Sequence, residues 1–302
     1  LDYNPMDAAD PPYSRWAFAR FMSDHIGRIF AEGDTVFREE NAPFDLLLTY
    51  MANGLGYQQP LKSQQDALNW SRYVRWADFD VYPYFYPKSQ RVRMVQAGFA
   101  LSSMKDVGDA LGIPWGFYIE LDDRNWPFQK NPAEASAECA FTAVAHGAGY
   151  LNSFIHRVFG TGTQSRPERW EATGRALRLI RDCGPLLSEM PAVRANLAIF
   201  YPDSHEAIEN GYAQPDYTLA LLKGSFGDVD VHREQVIVEK GSIPYAGLMI
   251  LRTKWLQEEV VPILRKWLLT GGVLVTDGLP THTHRGELID WRLEYRAAPA
   301  VA

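Results

Sequence analysis

The chain has 302 residues, 46% of them hydrophobic and 22% charged, with a formal net charge of −7. This is enough for one large core or two smaller ones. The mildly acidic balance argues against nucleic acid and against an anionic membrane surface, and leaves neutral ligands open. In chain order, SRWAFARFMSDHIGRIFAE (14–32) places Trp16, Phe18, Phe21, Met22, Ile26, Ile29 and Phe30 on a broad helical face, with Ser14 as N-cap. FDLLLTYMANG (44–54) is a continuous apolar run, the pattern of a strand covered on both faces. A short helix follows over 63–75, then a strand over 79–87 whose end is broken by prolines. Next come a helix over 89–110, a strand over 115–121, a helix over 133–148, a strand over 149–159 and a helix over 167–183. Such alternation implies parallel strands joined by crossover helices.

CGPLLSEMPAVRA (183–195) reads as a linker. The alternation then restarts: strand 196–202, helix 216–223, strands 229–238 and 246–253, helix 256–269 and strand 273–278. This describes a compact doubly wound unit. Gly271 and Gly272 stand where a helix C-cap is expected. The tail after Gly278 is polar and weakly patterned. Domains of 1–190 and 191–302 are therefore predicted.

Cys139 and Cys183 are the only cysteines, which excludes a disulfide scaffold and a zinc site built mainly on thiolates. The two histidines of HTH (282–284) have metal-like spacing but read as solvated, and no metal is assigned. DVDVH (228–232) reads as a turn running into a strand. No apolar run approaches the roughly 18 residues of a membrane span. The opening LDYNPMDAADPP does not have the character of a signal peptide. The compartment stays open, with the cytoplasm slightly favoured.

In parallel α/β folds, functional groups collect at the C-terminal strand ends. Those ends offer Asn53, then Asp80, Tyr82, Tyr84 and Tyr86, then Glu120 followed by Asp122, Asp123, Arg124, Asn125 and Trp126, and last Asn152, His156 and Arg157. A buried unpaired carboxylate costs several kcal/mol in order of magnitude, so acids at two strand ends call for a reason. One reason is structural: Glu120 could pair with Arg124 or Arg157, and Asp80 could cap a loop. The other is catalytic. The 9 Trp, 15 Tyr and 15 Phe suit either a well-filled core or a cleft that stacks on a ligand.

Four pieces resemble glycoside hydrolase family 42, the β-galactosidase-like enzymes. FDVYPY is similar to its Asp-x-Tyr-Pro strand. YIELDDRNW is similar to its segment carrying the nucleophilic Glu and a following Asn-Trp. ECAFTAVAHGAGYLNSFIHR resembles its helix, His-Gly-Ala turn and Phe-x-x-Arg strand. Ala195 to Gly278 resembles the amidotransferase-like domain that mediates trimer contacts in that family. The resemblance implies the C-terminal part of a (β/α)8 barrel followed by a smaller flavodoxin- or amidotransferase-like domain.

By the same resemblance, Glu120 is the nucleophile of a retaining glycosidase. Asn53, Asp80, Tyr82, Tyr84, Asn125, Trp126, His156 and Arg157 bind the substrate, a neutral carbohydrate. It implies no cofactor, no metal and a homotrimer through the second domain. Two departures stand out. The family's acid/base Glu follows an Asn at the end of the fourth strand; counting places 44–54 as the fifth, so that residue is expected before Leu1. The chain alone is then incomplete and inactive. The family's galactose-binding Glu and His have no clear match in GTGTQSRPERWEATG, where Glu168 or Glu171 could substitute. A carbohydrate-binding or degenerate relative without turnover is the alternative. A doubly wound protein with a purely structural Glu120 is a third reading. In the second domain, AGLMILRTKW offers no Cys for amidotransferase chemistry, which makes that domain non-catalytic.

Overall fold

The computed structural model describes residues 12–40, 47–51, 66–80, 90–120, 133–154, 167–190, 195–209 and 216–292. Helix α1 (Pro12–Glu39) buries Trp16, Ala19, Ser23 and Gly27 on one face. Three- and four-residue steps put these side chains in a single stripe. The helix begins at Pro12, so Ser14 is not its cap; proline suits a first turn because the N–H it lacks has no intrahelical partner there. Phe21 and Ile29, expected on the buried face, are 59% and 54% exposed. Arg20–Asp24 and Arg38–Asp34 stitch the solvent side at four-residue spacing.

The first sheet consists of β1 (Leu47–Met51), β2 (Trp76–Asp80), β3 (Trp115–Glu120) and β4 (Tyr150–Phe154), all parallel and adjacent in sequence order. Between them run α2 (Ala67–Trp70), which continues into a 3-10 turn over Ser71–Tyr73, α3 (Gln90–Leu111) and α4 (Ala135–Ala145); α5 (Pro167–Glu189) follows β4. Strand β2 begins three residues before the expected 79 and is described to Asp80. Asp66 caps α2, its carboxylate accepting the Asn69 N–H at 3.1 Å. Ala77, Trp115, Phe117 and Ile119 meet Ala97, Leu101, Met104 and Val107 of α3 and Cys139, Ala140 and Ala143 of α4 in one core. Gly108 lets α3 approach β3, because a Cβ there would stand 2.6 Å from the Trp115 ring.

The second sheet is also parallel, in the order β6-β5-β7-β9, from β5 (Leu197–Tyr201), β6 (Val229–Arg233), β7 (Gly247–Ile250) and β9 (Val273–Thr276). Its helices are α6 (Asp203–Glu209), α7 (Asp216–Phe226), α8 (Glu234–Lys240) and α9 (Val260–Leu269). A parallel pair, β8 (Trp255–Leu256) and β10 (His282–Thr283), gives order to the tail, where Thr283 and His284 are buried. Gly271 has a φ of 103° just after the C-cap of α9, as expected of a helix end.

Three expectations change. Helix α5 passes through Gly184 and Pro185 to Glu189, so 183–189, the first part of the expected linker, is helix. Helix α6 had no expected counterpart. The strand expected over 229–238 ends at Arg233 and becomes α8. The carboxylate of Asp203, 32 positions upstream, accepts the Gln235 N–H in the first turn of that helix. Gly241, at φ 62°, closes its far end.

The two sheets share core residues. Phe99 of α3 packs with Ile199, Tyr201, Val229 and Val231 of the second sheet, and Val236 of α8 packs in the core of the first. Helix α3 thus lies against both β3 and β6. Among the described residues, no helix is long and apolar enough to cross a membrane.

Candidate active site

Register aligns the strand ends of the first sheet. Met51 pairs with Asp80, Asp80 with Tyr118, and Tyr118 with Asn152. One step inward, Thr49, Asp78, Gly116 and Tyr150 form the next row. Successive residues of a strand face opposite sides, so these rows lie on the face away from the helix-covered Ala77, Phe117 and Ile119. That face is polar. Asp78 is fully buried, and its Oδ2 accepts the Asn152 Nδ2–H. A buried carboxylate needs such donors to offset lost hydration. Tyr150 lies over Gly116, with its ring edge-on to Trp76 at 5.3 Å between centroids. Burial first, then the charge of Asp78, pushes its phenol pKa up.

Glu120 is the last residue of β3, two positions beyond Tyr118 and paired in register with Phe154. Asp80 is the last residue of β2. The backbone therefore brings both expected carboxylates to the same end of adjacent strands; their side chains are not among those described. Asn53, Tyr82, Tyr84, Asn125, Trp126, His156 and Arg157 lie outside the described residues. Asp78 and Tyr150 are the functional candidates that sequence reasoning passed over. Both sit inside strands, where a search of strand ends does not look. The signal was the alternation in WADFD, where two acids fall two apart on a single face.

A second group of buried polar residues gathers at the ends of β5 and β6. Arg233, 2% exposed, donates to Asp203 and to Ser103 Oγ, and its guanidinium stacks 4.6 Å from the Tyr201 ring centroid. Glu234 accepts the Ser204 N–H and hydroxyl and the Gln257 N–H. Glu206 accepts from the Tyr201 hydroxyl. Burial pushes Glu206 and Glu234 up to about 8. These groups face one another and not an opening, which makes them a lock between β5, β6 and α3.

After β7 the backbone turns at Arg252, a non-glycine residue at φ 49°, whose N–H donates to Asp277 Oδ1 at 2.9 Å. A left-handed residue just after a central strand is where a strand-to-helix nucleophile would stand; an arginine cannot attack a carbonyl there. Near the tail, His284 Nδ1 accepts the Glu258 N–H. Among the described residues, no three His, Cys, Asp or Glu side chains gather as metal ligands.

No family model matches the sequence, and no curated protein matches it. Solved structures do. Gan42B, a GH42 β-galactosidase from G. stearothermophilus, superposes on 97% of this chain and 46% of its own, with a TM-score of 0.74 and 14% identity. A β-galactosidase from Rahnella sp. R3 covers 92% of this chain and 43% of its own, with a TM-score of 0.70 and 15% identity. An exo-carrageenase of GH42 from Bacteroides ovatus covers 94% and 41%, at 0.67 and 15%. At such identities the likeness is one of fold. The chain has the architecture of GH42 enzymes over nearly all of its own length, and spans less than half of theirs.

Proposed function

We propose that this chain carries the nucleophile half of a retaining, β-galactosidase-like glycosidase, with Glu120 as the attacking carboxylate. One observation supports this above the others: Glu120 and Asp80 end adjacent parallel strands whose shared face already holds the buried Asp78 and the half-buried Asn152 and Tyr150. The GH42 fold likeness gives that arrangement its chemical meaning. In retention, one carboxylate attacks the anomeric carbon to form a glycosyl-enzyme ester. A second carboxyl about 5–5.5 Å away protonates the leaving oxygen and then activates water. The attacking group must be ionised and rigid, and a strand end provides the rigidity. Asp80, Asn125 and Arg157 would bond hydroxyls, and Trp126, Tyr82 and Tyr84 would face the sugar ring, with Asn53 and His156 at the rim.

The sequence holds no Asn-Glu pair at a strand end, so the proton donor is assigned outside these 302 residues. General acid–base help of this kind contributes typically about 10²–10⁴-fold. The second sheet, spanning 191–302, is read as the amidotransferase-like assembly domain of a homotrimer. Its Arg252 turn and the half-exposed Val273 and Val275 of edge strand β9 support a docking and not a catalytic role.

Incubating the assembled enzyme with a mechanism-based 2-fluoro-galactoside and digesting it should place the label on the peptide holding Glu120. Label on any other carboxylate overturns the assignment. Galactose binding with no label would favour the non-catalytic relative, a reading that the missing Asn-Glu pair keeps in play.

A further inference from the structure

A cleft of about 820 Å3 opens between α3 and the second sheet, away from the strand ends of the first. Its wall holds an Asp–His pair contributed by the two sheets' own elements: Asp106 from α3 and His232 from β6. Asp106 Oδ2 accepts the Arg233 backbone N–H at 2.7 Å, and its Oδ1 lies 2.9 Å from His232 Nδ1. A carboxylate only accepts, so Nδ1 carries the proton. In the uncharged ring Nε2 is then left with a lone pair and no proton. His232 lines the cleft and is only 2% exposed, and its Nε2 has no hydrogen-bond partner among the described residues. An orphaned buried acceptor calls for a ligand or an ordered water.

The rest of the wall narrows the choice of ligand. The charges around His232 are matched within the protein: Lys105 bridges Asp109 at 3.0 Å and Asp230 at 3.5 Å, and Tyr245 donates to Asp230. The exposed Lys240 stands at the rim. Ile113, Val236 and Pro244 add apolar surface. The wall therefore offers one unpartnered imidazole nitrogen, spare carboxylate lone pairs and an aromatic face. We propose that this cleft is a second ligand site, separate from the Glu120 site, that takes a neutral polyhydroxylated molecule the size of a mono- or disaccharide. One ligand hydroxyl donates to His232 Nε2. The Tyr245 ring stands edge to face against the imidazole at 5.0 Å between centroids. The volume lies within the range of small-molecule sites.

The test is a titration of the intact protein with D-galactose and, in parallel, D-glucose, followed by ring-nitrogen NMR of the histidines and by calorimetry. The His232 Nε2 resonance should shift saturably with at least one of the two sugars. His232→Phe should weaken that binding at least about tenfold, the value of one hydrogen bond. Should that variant not fold, Asp109→Asn on the exposed rim should weaken it several-fold. Glu120→Gln should leave this binding unchanged, which separates the site from the glycosidase reading. A resonance that ignores both sugars at millimolar concentration, marking a water site only, overturns the proposal. So does sugar binding of equal strength in His232→Phe, or in Asp109→Asn where that is the variant that folds.

Discussion

Gly116 shows how tightly the polar face of the first sheet is built. A Cβ there would stand 2.3 Å from the Tyr150 ring, which packs on the strand in place of a side chain. Gly116→Ala should therefore displace Tyr150 and cost about 1–3 kcal/mol, read as a lower urea midpoint. Two titrating residues act in opposite directions. His146 donates through Nδ1 to the Thr142 carbonyl at 2.8 Å, and burial, with Lys223 nearby, pushes its pKa down from 6.5 to about 4. Between those values the unfolded chain binds a proton that the folded chain refuses. Stability from this group thus falls as pH drops from 6.5 toward 4, by the order of 2 kcal/mol. His146→Gln should flatten that part of the Tm–pH curve. Glu206 behaves in reverse: burial raises it from 4.5 to about 8, so the folded chain keeps a proton that the unfolded chain releases. Its contribution is complete below pH 4.5 and is lost as pH rises through 8. Glu206→Gln keeps a partner for Tyr201 and should remove that decline; an unchanged slope would show that another group carries it.

Among elements, the parallel strands were legible wherever burial on both faces produced a plain apolar run. NLAIFYP gave β5 to within a residue at each end, and the run expected over 246–253 contains β7, which ends three residues sooner. Helix α8 was not legible, because valines recur from Val229 to Val238 and the side chain that caps its first turn is Asp203, at the start of α6. Helix α6 was missed because Asp203, Ser204 and Glu206 are polar yet buried, the inverse of the pattern that marks a core-facing helix. Helix α5 misled for a different reason. Gly184 and Pro185 signal a stop, but the helix runs on to Glu189. A proline there deletes a backbone hydrogen bond, so Pro185→Ala should raise stability by about 1–2 kcal/mol in a denaturant titration. Glu120 was readable at the end of its apolar run, whereas Asp80 was expected near the start of a strand over 79–87 and instead closes β2. The pairs Asp106–His232 and Asp203–Arg233 were not, because their members stand 126 and 30 positions apart and no local spacing announces them.

At the scale of the molecule, the likeness to GH42 structures spans both sheets, and most of the expected substrate contacts lie outside the described residues. Within the described scaffold, α3 packs against both sheets. Phe99 of α3 is fully buried among residues of the second sheet. Phe99→Ala should cost about 3–5 kcal/mol. Because the same helix lines the first core through Leu101, Met104 and Val107, that loss cannot stay on one side. Scanning calorimetry should find a single cooperative endotherm in which wild-type and variant halves melt together. Two separate peaks would mean that the boundary near residue 190, drawn from the order of strands and helices, also divides the chain energetically. With one peak, the helix acts as a keel common to both halves, and neither keeps its shape after the other is lost.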